Sequence, residues 1–544
     1  MFKRGLMTVL IGLLSTAASF AANYYVAPNG KSTNNGSLNS PWNIAKLNNT
    51  KLKPGDTVYF RGGSYKMKDP ILVQSTMGTE KAWITFKNYA SEKPVFDGMN
   101  MPFSEEADAI ISFQFVSYFR IEGLHVKNSP MQGFSIWISD NVTIQNCSSN
   151  LSWGPGIGVW GDKVRMQWSS DIKVLNNEVA DPNDWDAPVR AEQNRATVKW
   201  PPHESITIGR VRDFEVAYNL VYGGNKEGID AKGPNYDGII HNNTIHSKER
   251  VAIYIDGWTE PMSNIDIYDN YIYDCKHGIG VASEDGPVVA NIRIFNNVLR
   301  NIERIGIHVM NIKAEGPRKN ILIMNNTIDT SDHAISVNTN KIENCIVKNN
   351  LIYNTRFNAI RLNYPSKVSL SYNLVGKDPL WVNPAGGDYR IQAGSPAINA
   401  GDPNKRHNDP DGSRNDVGAY YFGQKLGAFR GSIGNYGIGS VPEARPVVYP
   451  EEPLRATVSG STVKLDWDDC KKKGFTNYRV IRDVLFEHVI KESEYVDEKV
   501  EDGTYNYIVV AFNNNAREVL TVYKKTVVVG GGYVPDTGDN GGKT

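Results

Sequence analysis

The stretches NIDIYDNYIYD (264–274), NIRIFNNVLRN (291–301) and NILIMNNTIDT (320–330) decide the fold of this 544-residue chain. In each stretch apolar residues alternate with polar ones, lead into an asparagine and then resume, and this is the period of a β-strand. The asparagine recurs at intervals of 24, 27, 27, 29, 24 and 23 residues, at Asn219, Asn243, Asn270, Asn297, Asn326, Asn350 and Asn373. Because asparagine tolerates a left-handed backbone, we expect each one to occupy a tight corner between two strands.

A second short strand between these stretches is indicated by a Gly-Ile or Ala-Ile pair. The pairs lie at 156–157, 228–229, 252–253, 278–279, 306–307, 334–335 and 359–360. Short strands, a fixed repeat length and no helical period predict an all-β chain coiled as a solenoid. Residues at one phase of such a coil stack about 4.8 Å apart, so residues roughly one repeat apart in sequence become neighbours in space.

The first 22 residues predict the cellular location of the protein. They read MFKRGLMTVLIGLLSTAASFAA, with Lys3 and Arg4, an apolar run and small residues at the end, which is typical of a secretory signal peptide. The run is too short to span a bilayer and no later segment is apolar enough. We therefore expect a protein exported to a periplasm, a cell surface or the medium, with no membrane span.

The composition argues against a disulfide-built scaffold and gives no reason to expect a nucleic-acid-binding protein. The four cysteines at 147, 275, 345 and 470 are too few and too widely spaced for a scaffold built on disulfides, so buried free thiols are expected. The chain has 59 basic and 59 acidic residues, and this balance gives no reason to expect a nucleic-acid partner. We expect a monomer.

Four segments resemble secreted right-handed parallel β-helix carbohydrate-active proteins, including the pectate lyases of polysaccharide lyase family nine. They are YYVAPNGKSTNNGSLNSPW (24–42), LKPGDTVYFRGGSY (52–65), WITFKNYASEKPVFDGMN (83–100) and the closing DPLWVNPAGGDYRIQAGSPAINAGDP (378–403). The resemblance covers about residues 24–422. It implies a right-handed parallel β-helix of roughly ten to thirteen turns.

The domain organisation follows from breaks in the repeat. The catalytic β-helix is assigned to 23–422, with an inserted loop at 180–203, because the interval from Asn177 to Asn219 is 42 residues. Residues 423–453 are rich in Pro and Gly and are assigned as a linker. Residues 454–530 resemble a fibronectin type III domain, a small β-sandwich, and 531–544 are assigned as a flexible tail.

Charged residues recur at matching phase in the turns around residue 230. Phasing on the Gly-Ile strand predicts two columns: Thr207, Asp230, Tyr254, Gly280 and His308, and, two residues on, Gly209, Lys232, Asp256, Ala282 and Met310. Residues two apart on a strand share a face, so we expect Asp230, Lys232, Tyr254 and Asp256 to form one exposed patch with Lys232 stacked on Asp256. A charge ladder that only neutralises itself is the alternative interpretation.

Two reactions fit this patch. In β-elimination on a uronate polymer a base removes the proton α to the carboxylate while cations neutralise that carboxylate; the candidate bases are Lys232, Arg250, Lys226 and His203. In glycoside hydrolysis two carboxylates flank the bond; Asp230 and Asp256 are the candidates, with Glu227 and Glu284 in reserve. Aromatic and polar side chains nearby suit a sugar, and the candidates for substrate binding are Arg210, Lys226, Tyr254, Trp258, Glu284, His308, Trp185 and Trp200.

The resemblance to family nine bears on calcium. The segment KEGIDAK (226–232) is similar to the family segment whose leading acid belongs to a calcium site, and the matching residue is Glu227. The next turn, from Arg250 to Tyr254, lacks the acidic cluster that completes the calcium shell, and Arg250 can take the place of the ion. No metal ligand or cofactor is assigned, although calcium stays possible.

We therefore expect an extracellular enzyme that cleaves a polysaccharide, with a lyase acting on an acidic glycan as the first hypothesis. A glycoside hydrolase using Asp230 and Asp256 is the alternative. A non-catalytic glycan-binding or adhesion protein is the third hypothesis, which the C-terminal sandwich favours.

Overall fold

The computed structural model describes residues 21–102, 108–183, 204–312, 316–425, 454–467, 477–482, 486–491, 493–500, 503–512 and 519–529. Its strands form a parallel solenoid of about eleven turns, and the prediction of an all-β right-handed parallel β-helix is confirmed. The described residues include one short α-helix, Ile44–Asn48, and 3-10 turns at Pro365–Lys367, Pro384–Gly386 and Lys405–His407. None of the helices in these ranges has the length and apolar character needed to cross a membrane.

Each turn contributes a strand to three parallel sheets. Sheet 1 contains Ile71–Gln74, Ala109–Gln114, Gln132–Trp137, Ile157–Trp160, Val251–Gly257, His277–Ser283 and Ile360–Leu362. Sheet 2 contains Asn23–Val26, Thr57–Phe60, Ile84–Asn88, Ser117–Glu122, Asp140–Gln145, Ser169–Leu175, Met262–Tyr268, Val289–Phe295, Arg318–Met324, Ile342–Lys348 and Val368–Ser371. Sheet 3 contains Gly63–Lys66, Pro94–Asp97, His125–Lys127, Ser148–Asn150, Glu178–Ala180, Leu220–Tyr222, Thr244–His246, Tyr271–Tyr273, Leu351–Thr355 and Leu374–Val375.

Four long strands run through a corner and belong to two sheets at once. Ile206–Ala217 and Ile229–His241 join sheet 1 to sheet 2. Val298–Val309 and Thr327–Val337 join sheet 3 to sheet 1.

The core of the solenoid is a set of stacked aliphatic columns. In sheet 1, Ile229 pairs with Ile253, which continues through Ile279 and Ile307 to Ile335. All five side chains are fully buried. Alternation along each strand sends these β-branched residues inward and their neighbours outward. The repeat in the sequence therefore fixes which side chains of successive turns meet.

The recurrent asparagines form a buried ladder, and the reason first given for them is wrong. The left-handed residue at each corner is the one before the ladder asparagine, for example Asp269 (φ 53°) before Asn270. Asn270 instead joins the turns: its backbone N–H and its Nδ2 both donate to Oδ1 of Asn297, at 3.1 and 2.9 Å. The amide is retained because it satisfies donors and acceptors of two turns at once.

This asparagine ladder extends over eight turns. The same backbone-to-side-chain bond links Asn177, Asn219, Asn243, Asn270, Asn297, Asn326, Asn350 and Asn373 in order. Cys147 donates its N–H to the first of them. Asn177 is therefore part of the ladder although the sequence series began at Asn219.

The chain after the solenoid contains further β-structure. Trp381–Asn383 and Asp388–Ile391 form an antiparallel pair in the closing segment. Beyond it, Arg455–Ser459, Thr462–Asp466 and Glu494–Asp497 form one antiparallel sheet, and Phe486–Ile490, Asn477–Arg482, Gly503–Phe512 and Val519–Val529 form another. Both sheets contribute to a single core that includes Trp467 and Tyr507, an arrangement in keeping with a sandwich. The assignment to the fibronectin type III family stays a prediction, as do the domain boundaries.

Cys147, Cys275 and Cys345 are buried free thiols, as expected. Cys470 lies outside the described residues. So do residues 1–20 of the expected signal peptide, most of the expected loop at 180–203, most of the linker and all of the tail.

Candidate functional site

The two columns predicted from sequence are present in sheet 1. Asp230 pairs with Thr207 on one side and Tyr254 on the other, and the column continues through Gly280 to His308. Lys232 stands between Gly209 and Asp256 in the second column. Phasing on the Gly-Ile and Ala-Ile pairs predicted this register, because the isoleucines of those pairs stand opposite one another in successive strands.

Lys232 lies at the centre of three carboxylates. Its Nζ is 2.8 Å from Asp256 Oδ2, 3.4 Å from Glu204 Oε1 and 3.7 Å from Asp230 Oδ2. The strand places the two aspartates on adjacent turns, and the long lysine side chain reaches both. We call Glu204, Asp230, Lys232 and Asp256 the carboxylate–lysine cluster.

The expectation that this patch is exposed is wrong. Asp230 is 0% exposed and Asp256 is 1% exposed, and Glu204 and Tyr254 are also buried. The most accessible member is Lys232, whose side chain is 19% exposed. The face does point away from the solenoid core, but its carboxylates are nevertheless buried. A ligand approaching the cluster meets Lys232 first.

Burial shifts the acidity of the two aspartates. Desolvation, followed by the negative charge of Glu204, raises the pKa of Asp230 well above its ordinary value. Desolvation also raises the pKa of Asp256, to about 6, although the charge of Lys232 opposes the shift. Both oxygens of Asp230 and Oδ1 of Asp256 are buried with no hydrogen-bond partner among the residues that the structure describes. Both carboxyl groups therefore take up a proton more readily than an ordinary aspartate does, and Asp256 titrates near neutrality.

The pKa of Lys232 is shifted in the direction that makes it a poor base. Burial lowers its pKa, but the charges of Asp230, Glu204 and Asp256 outweigh burial and the pKa is raised. Its ammonium also lies 5.3 Å from the ring centre of Trp258, within cation–π range. Trp258 is 46% exposed. The lysine is thus a fixed cation beside an exposed aromatic face.

Glu227 and Arg250 form a pair at the corner before these strands. Arg250 Nε is 3.1 Å from Glu227 Oε1, and half of the arginine side chain is exposed. Across the ranges described above, no three His, Cys, Asp or Glu side chains converge as metal ligands would. Among these residues Glu227 is paired with Arg250 and not grouped with further ligands, and we assign no step to a calcium ion. Lys226 lies beside the pair and is half-buried.

Of the other candidate residues, some lie beside the cluster and others are hydrogen-bonded to residues outside it. Tyr254 donates its hydroxyl to Glu284 one turn further on. Arg210 is buried and makes two 2.9 Å bonds to Glu260, so its charge is already neutralised. His308 lies two turns beyond Tyr254 in the first column, and burial lowers its pKa to about 4. His203, Trp185 and Trp200 lie outside the described residues.

Two further residues adjoin the site, and sequence reasoning gave neither of them a role. Glu204 is in phase with Glu227, since Ile206 pairs with Ile229, and that phase was the signal that pointed to it. Lys248 is buried and its Nζ donates to Ser205 Oγ at 2.8 Å and to the Gly223 carbonyl. Burial lowers the pKa of Lys248 to about 8. No sequence signal distinguishes a buried lysine at a corner from an exposed one.

Comparisons with known proteins agree with this architecture. Residues 24–187 match the family model described as Pel9A-like, right handed beta helix region, and residues 204–375 match the model described as right handed beta helix region. Each match covers less than half of the chain.

Individual proteins are similar at low identity. The uncharacterized protein YwoF of Bacillus subtilis is 26% identical over 341 residues, 57% of this chain and 68% of that protein. Pectate lyase L of Paenibacillus polymyxa is 29% identical over 171 residues, which are 30% of this chain and 37% of the lyase. The crystal structure of pectate lyase Pel9A matches with a TM-score of 0.47 and 15% identity, covering 74% of this chain and 97% of that one. The chain is a right-handed β-helix similar in sequence to part of a pectate lyase.

Proposed function

We propose that this protein is an extracellular enzyme that cleaves an acidic polysaccharide by β-elimination at the carboxylate–lysine cluster. The observation that supports this most is the pair Asp230 and Asp256. Both carboxyl groups have a raised pKa and both lie near one cation, Lys232 Nζ, at 3.7 Å from Asp230 and 2.8 Å from Asp256, so each can exchange a proton close to neutral pH. The sequence likeness to pectate lyase L supports the reaction class, and residues 1–22 support export.

The proposed roles follow from the charges. Asp256 takes the proton from the carbon α to the uronate carboxylate, and the electron pair of that C–H bond forms the new double bond. The bond to the glycosidic oxygen on the β carbon breaks, and that oxygen takes the proton of Asp230. Lys232 and Arg250 neutralise the charge that grows on the substrate carboxylate. A carboxylate is an adequate base here because its raised pKa lies close to the working pH.

These roles revise the first sequence hypothesis in one respect. Lys232 was the leading candidate for the base, but a lysine among three carboxylates with a raised pKa holds its proton at neutral pH. It serves better as the cation. Trp258 and Tyr254 are proposed to contact the sugar rings, and Lys226 its acidic groups. Glu284 orients Tyr254 through their hydrogen bond.

A glycoside hydrolase is the second candidate, and one observation favours it. Asp230 Oδ2 and Asp256 Oδ2 lie 3.7 and 2.8 Å from the same nitrogen, so they are separated by no more than the sum of these distances, 6.5 Å. Retaining glycosidases hold their two carboxyl groups about 5–5.5 Å apart and inverting enzymes about 6.5–9.5 Å. The same acid would then protonate the leaving oxygen, while Asp256 attacks the sugar.

The deciding experiment follows two signals in one incubation. The mature protein is mixed with acidic and neutral polysaccharides, and the ultraviolet absorbance of an unsaturated uronate is recorded together with reducing ends. Both signals rise for a lyase, and reducing ends rise alone for a hydrolase. Retention on the polymer with neither signal would establish the binding protein and remove both enzymatic proposals.

Substitutions then test the residues. Asp256→Asn and Asp230→Asn should each lower kcat/KM by roughly 10²–10⁴-fold, the usual contribution of a general acid or base. Asp274→Asn is the matched control, because Asp274 lies at an exposed corner after sheet 3 where asparagine tolerates the same backbone. Wild-type rates in both cluster variants, with normal folding by circular dichroism, would move the reaction away from the cluster.

A further inference from the structure

We infer that a second part of the sheet 1 face, a basic cleft, binds the carboxylate or sulfate groups of a polysaccharide chain. The inference deepens the proposed function and rests on it for the nature of the polymer. The cleft has a volume of about 440 Å³, and its lining includes Lys276, His277, Arg304, Asp332, His333 and Arg361. Three permanent cations therefore face one carboxylate.

Cations stack on three successive turns at the edge of this cleft. Val251 pairs with His277, and His277 pairs with Ile305. The residues just before them, Arg250, Lys276 and Arg304, therefore stand one above another, about 4.8 Å apart. Like charges directly opposite each other in a sheet are destabilising. Such a column is favoured only if anions meet it.

The protein itself supplies part of that negative charge. Arg250 is paired with Glu227, and Arg304 lies 3.3 Å from Glu303 and 3.9 Å from Asp332. Asp332 is shared, because Arg356 binds it more closely, at 2.8 Å. Lys276 is exposed, and within the described ranges it has no ion pair. The central cation of the column is therefore available to a ligand.

Two nitrogen atoms of residues that line the cleft have no hydrogen-bond partner among the described residues. His333 donates from Nδ1 to the Asn358 carbonyl at 2.9 Å, so its Nε2 is the acceptor that faces Arg361 Nη1 at 3.4 Å. This contact holds the guanidinium in place. Arg361 Nε and His277 Nδ1 are buried and have no hydrogen-bond partner among the residues with described positions. A guanidinium donor left in this state is satisfied best by an anionic oxygen.

The cleft and the carboxylate–lysine cluster lie on one line. The column that contains Asp230 continues through Tyr254, Gly280, His308 and Ser336 to Arg361. Five turns separate its ends, which is about 24 Å along the solenoid. Phe357 is 65% exposed and adds an apolar ring to the cleft lining. A polysaccharide that follows the solenoid axis can contact both places at once.

The test measures affinity separately from cleavage. Calorimetry on the full chain uses polygalacturonate, dextran sulfate and unmodified dextran as probes. Binding of the first or second names carboxylate or sulfate as the recognised group, and no preference for either over dextran overturns the inference. The double variant Lys276→Gln/Arg304→Gln should raise Kd for the acidic probe at least about tenfold. Lys319→Gln is the control, because that lysine pairs with Glu343 on sheet 2.

The two proposals fail separately. If the double variant loses affinity while the wild-type protein cleaves no polymer, the cleft stands and the proposed reaction falls. If the protein cleaves but the double variant binds as tightly as wild type, the reaction stands and the cleft falls. Should the double variant misfold, the single change Lys276→Gln alters only an exposed side chain and carries the same comparison.

Discussion

At the scale of single residues, one lysine changes the acidity of the carboxyl groups around it. Without Lys232, three buried acids within a few ångströms would each have to be neutral. With it, Asp256, 2.8 Å from the ammonium, has a pKa of about 6, and the pKa of Asp230, 3.7 Å from the ammonium, is raised by burial and by the charge of Glu204. The proposed acid and the proposed base therefore share one cation but differ in their distance from it.

The pH dependence of activity tests this separation. If Asp256 must be ionised, kcat/KM should rise with pH through a midpoint near 6 and fall again at higher pH, where Asp230 loses its proton. Rates measured from pH 4 to 9 in buffers of constant ionic strength give the profile. An acid limb near 4, the usual value for aspartate, would contradict the assigned base.

Lys248 gives a prediction about stability. Its pKa is about 8 in the folded state and 10.5 is the ordinary value, so between these pH values the unfolded chain binds more protons. The free energy of unfolding should therefore rise from pH 8 to pH 10.5, and the penalty should be present in full below pH 8. Urea unfolding at several pH values measures the rise. In Lys248→Met that contribution should disappear, and an unchanged slope would show that another group causes it.

At the scale of elements, the turn is the unit that the sequence specifies. Its length and the stacking of Lys232 on Asp256 were predictable, since the asparagine intervals give the length of the repeat and the Gly-Ile and Ala-Ile pairs give the register. That each turn has three strands is shown only by the structure. The purpose of those asparagines was not predictable from propensity. A preference for left-handed backbone suits the residue before each of them equally well, and only the structure shows that their amides bridge the turns.

A substitution in the middle of the asparagine ladder should lower the free energy of unfolding more than a substitution at its end. Asn270→Ala removes side-chain bonds to both neighbouring turns and leaves buried backbone groups unpaired, so we expect a loss of about 3 kcal/mol in the free energy of unfolding. Asn373→Ala, at the partly exposed end of the ladder, should cost about 1 kcal/mol. Chemical denaturation compares the two, and equal losses would show that the ladder does not act through burial.

The site was predictable only in part, for a physical reason. Phase alone predicts which outward residues stack, and it placed Asp230, Lys232, Tyr254 and Asp256 correctly. Burial depends on side chains and segments from several turns, and no single repeat encodes it. The exposed patch expected from alternation therefore became a covered cluster, and the pairing of Arg210 with Glu260, 50 residues away, had no signal in the repeat.

At the scale of the whole molecule, the described chain has two large hydrophobic cores with no residue in common. One extends through the solenoid, and the other joins the two C-terminal sheets around Trp467. A domain with its own core can unfold on its own. The solenoid core includes aromatic rings packed edge to face, such as Phe86 and Phe113, near its first turns. Its stability should therefore be a sum over neighbouring turns.

Thermal unfolding should accordingly show two transitions. Differential scanning calorimetry of the full chain measures them, and a shorter chain ending at residue 425 should retain only the one that belongs to the solenoid, together with its activity. A single transition that moves when residues 426–544 are removed would mean that the two cores are coupled.

The constant rise of the turns has a consequence for how the enzyme would measure its substrate. Because the cluster and the basic cleft are separated by whole turns of one coil, their spacing can change only in steps of about 4.8 Å. Duplication or loss of one ladder unit would move them apart or together by one such step while leaving every other contact intact. The distance between the two sites is thus a whole number of turns. A protein that gained or lost a repeat would bind a polymer whose charged groups are spaced differently.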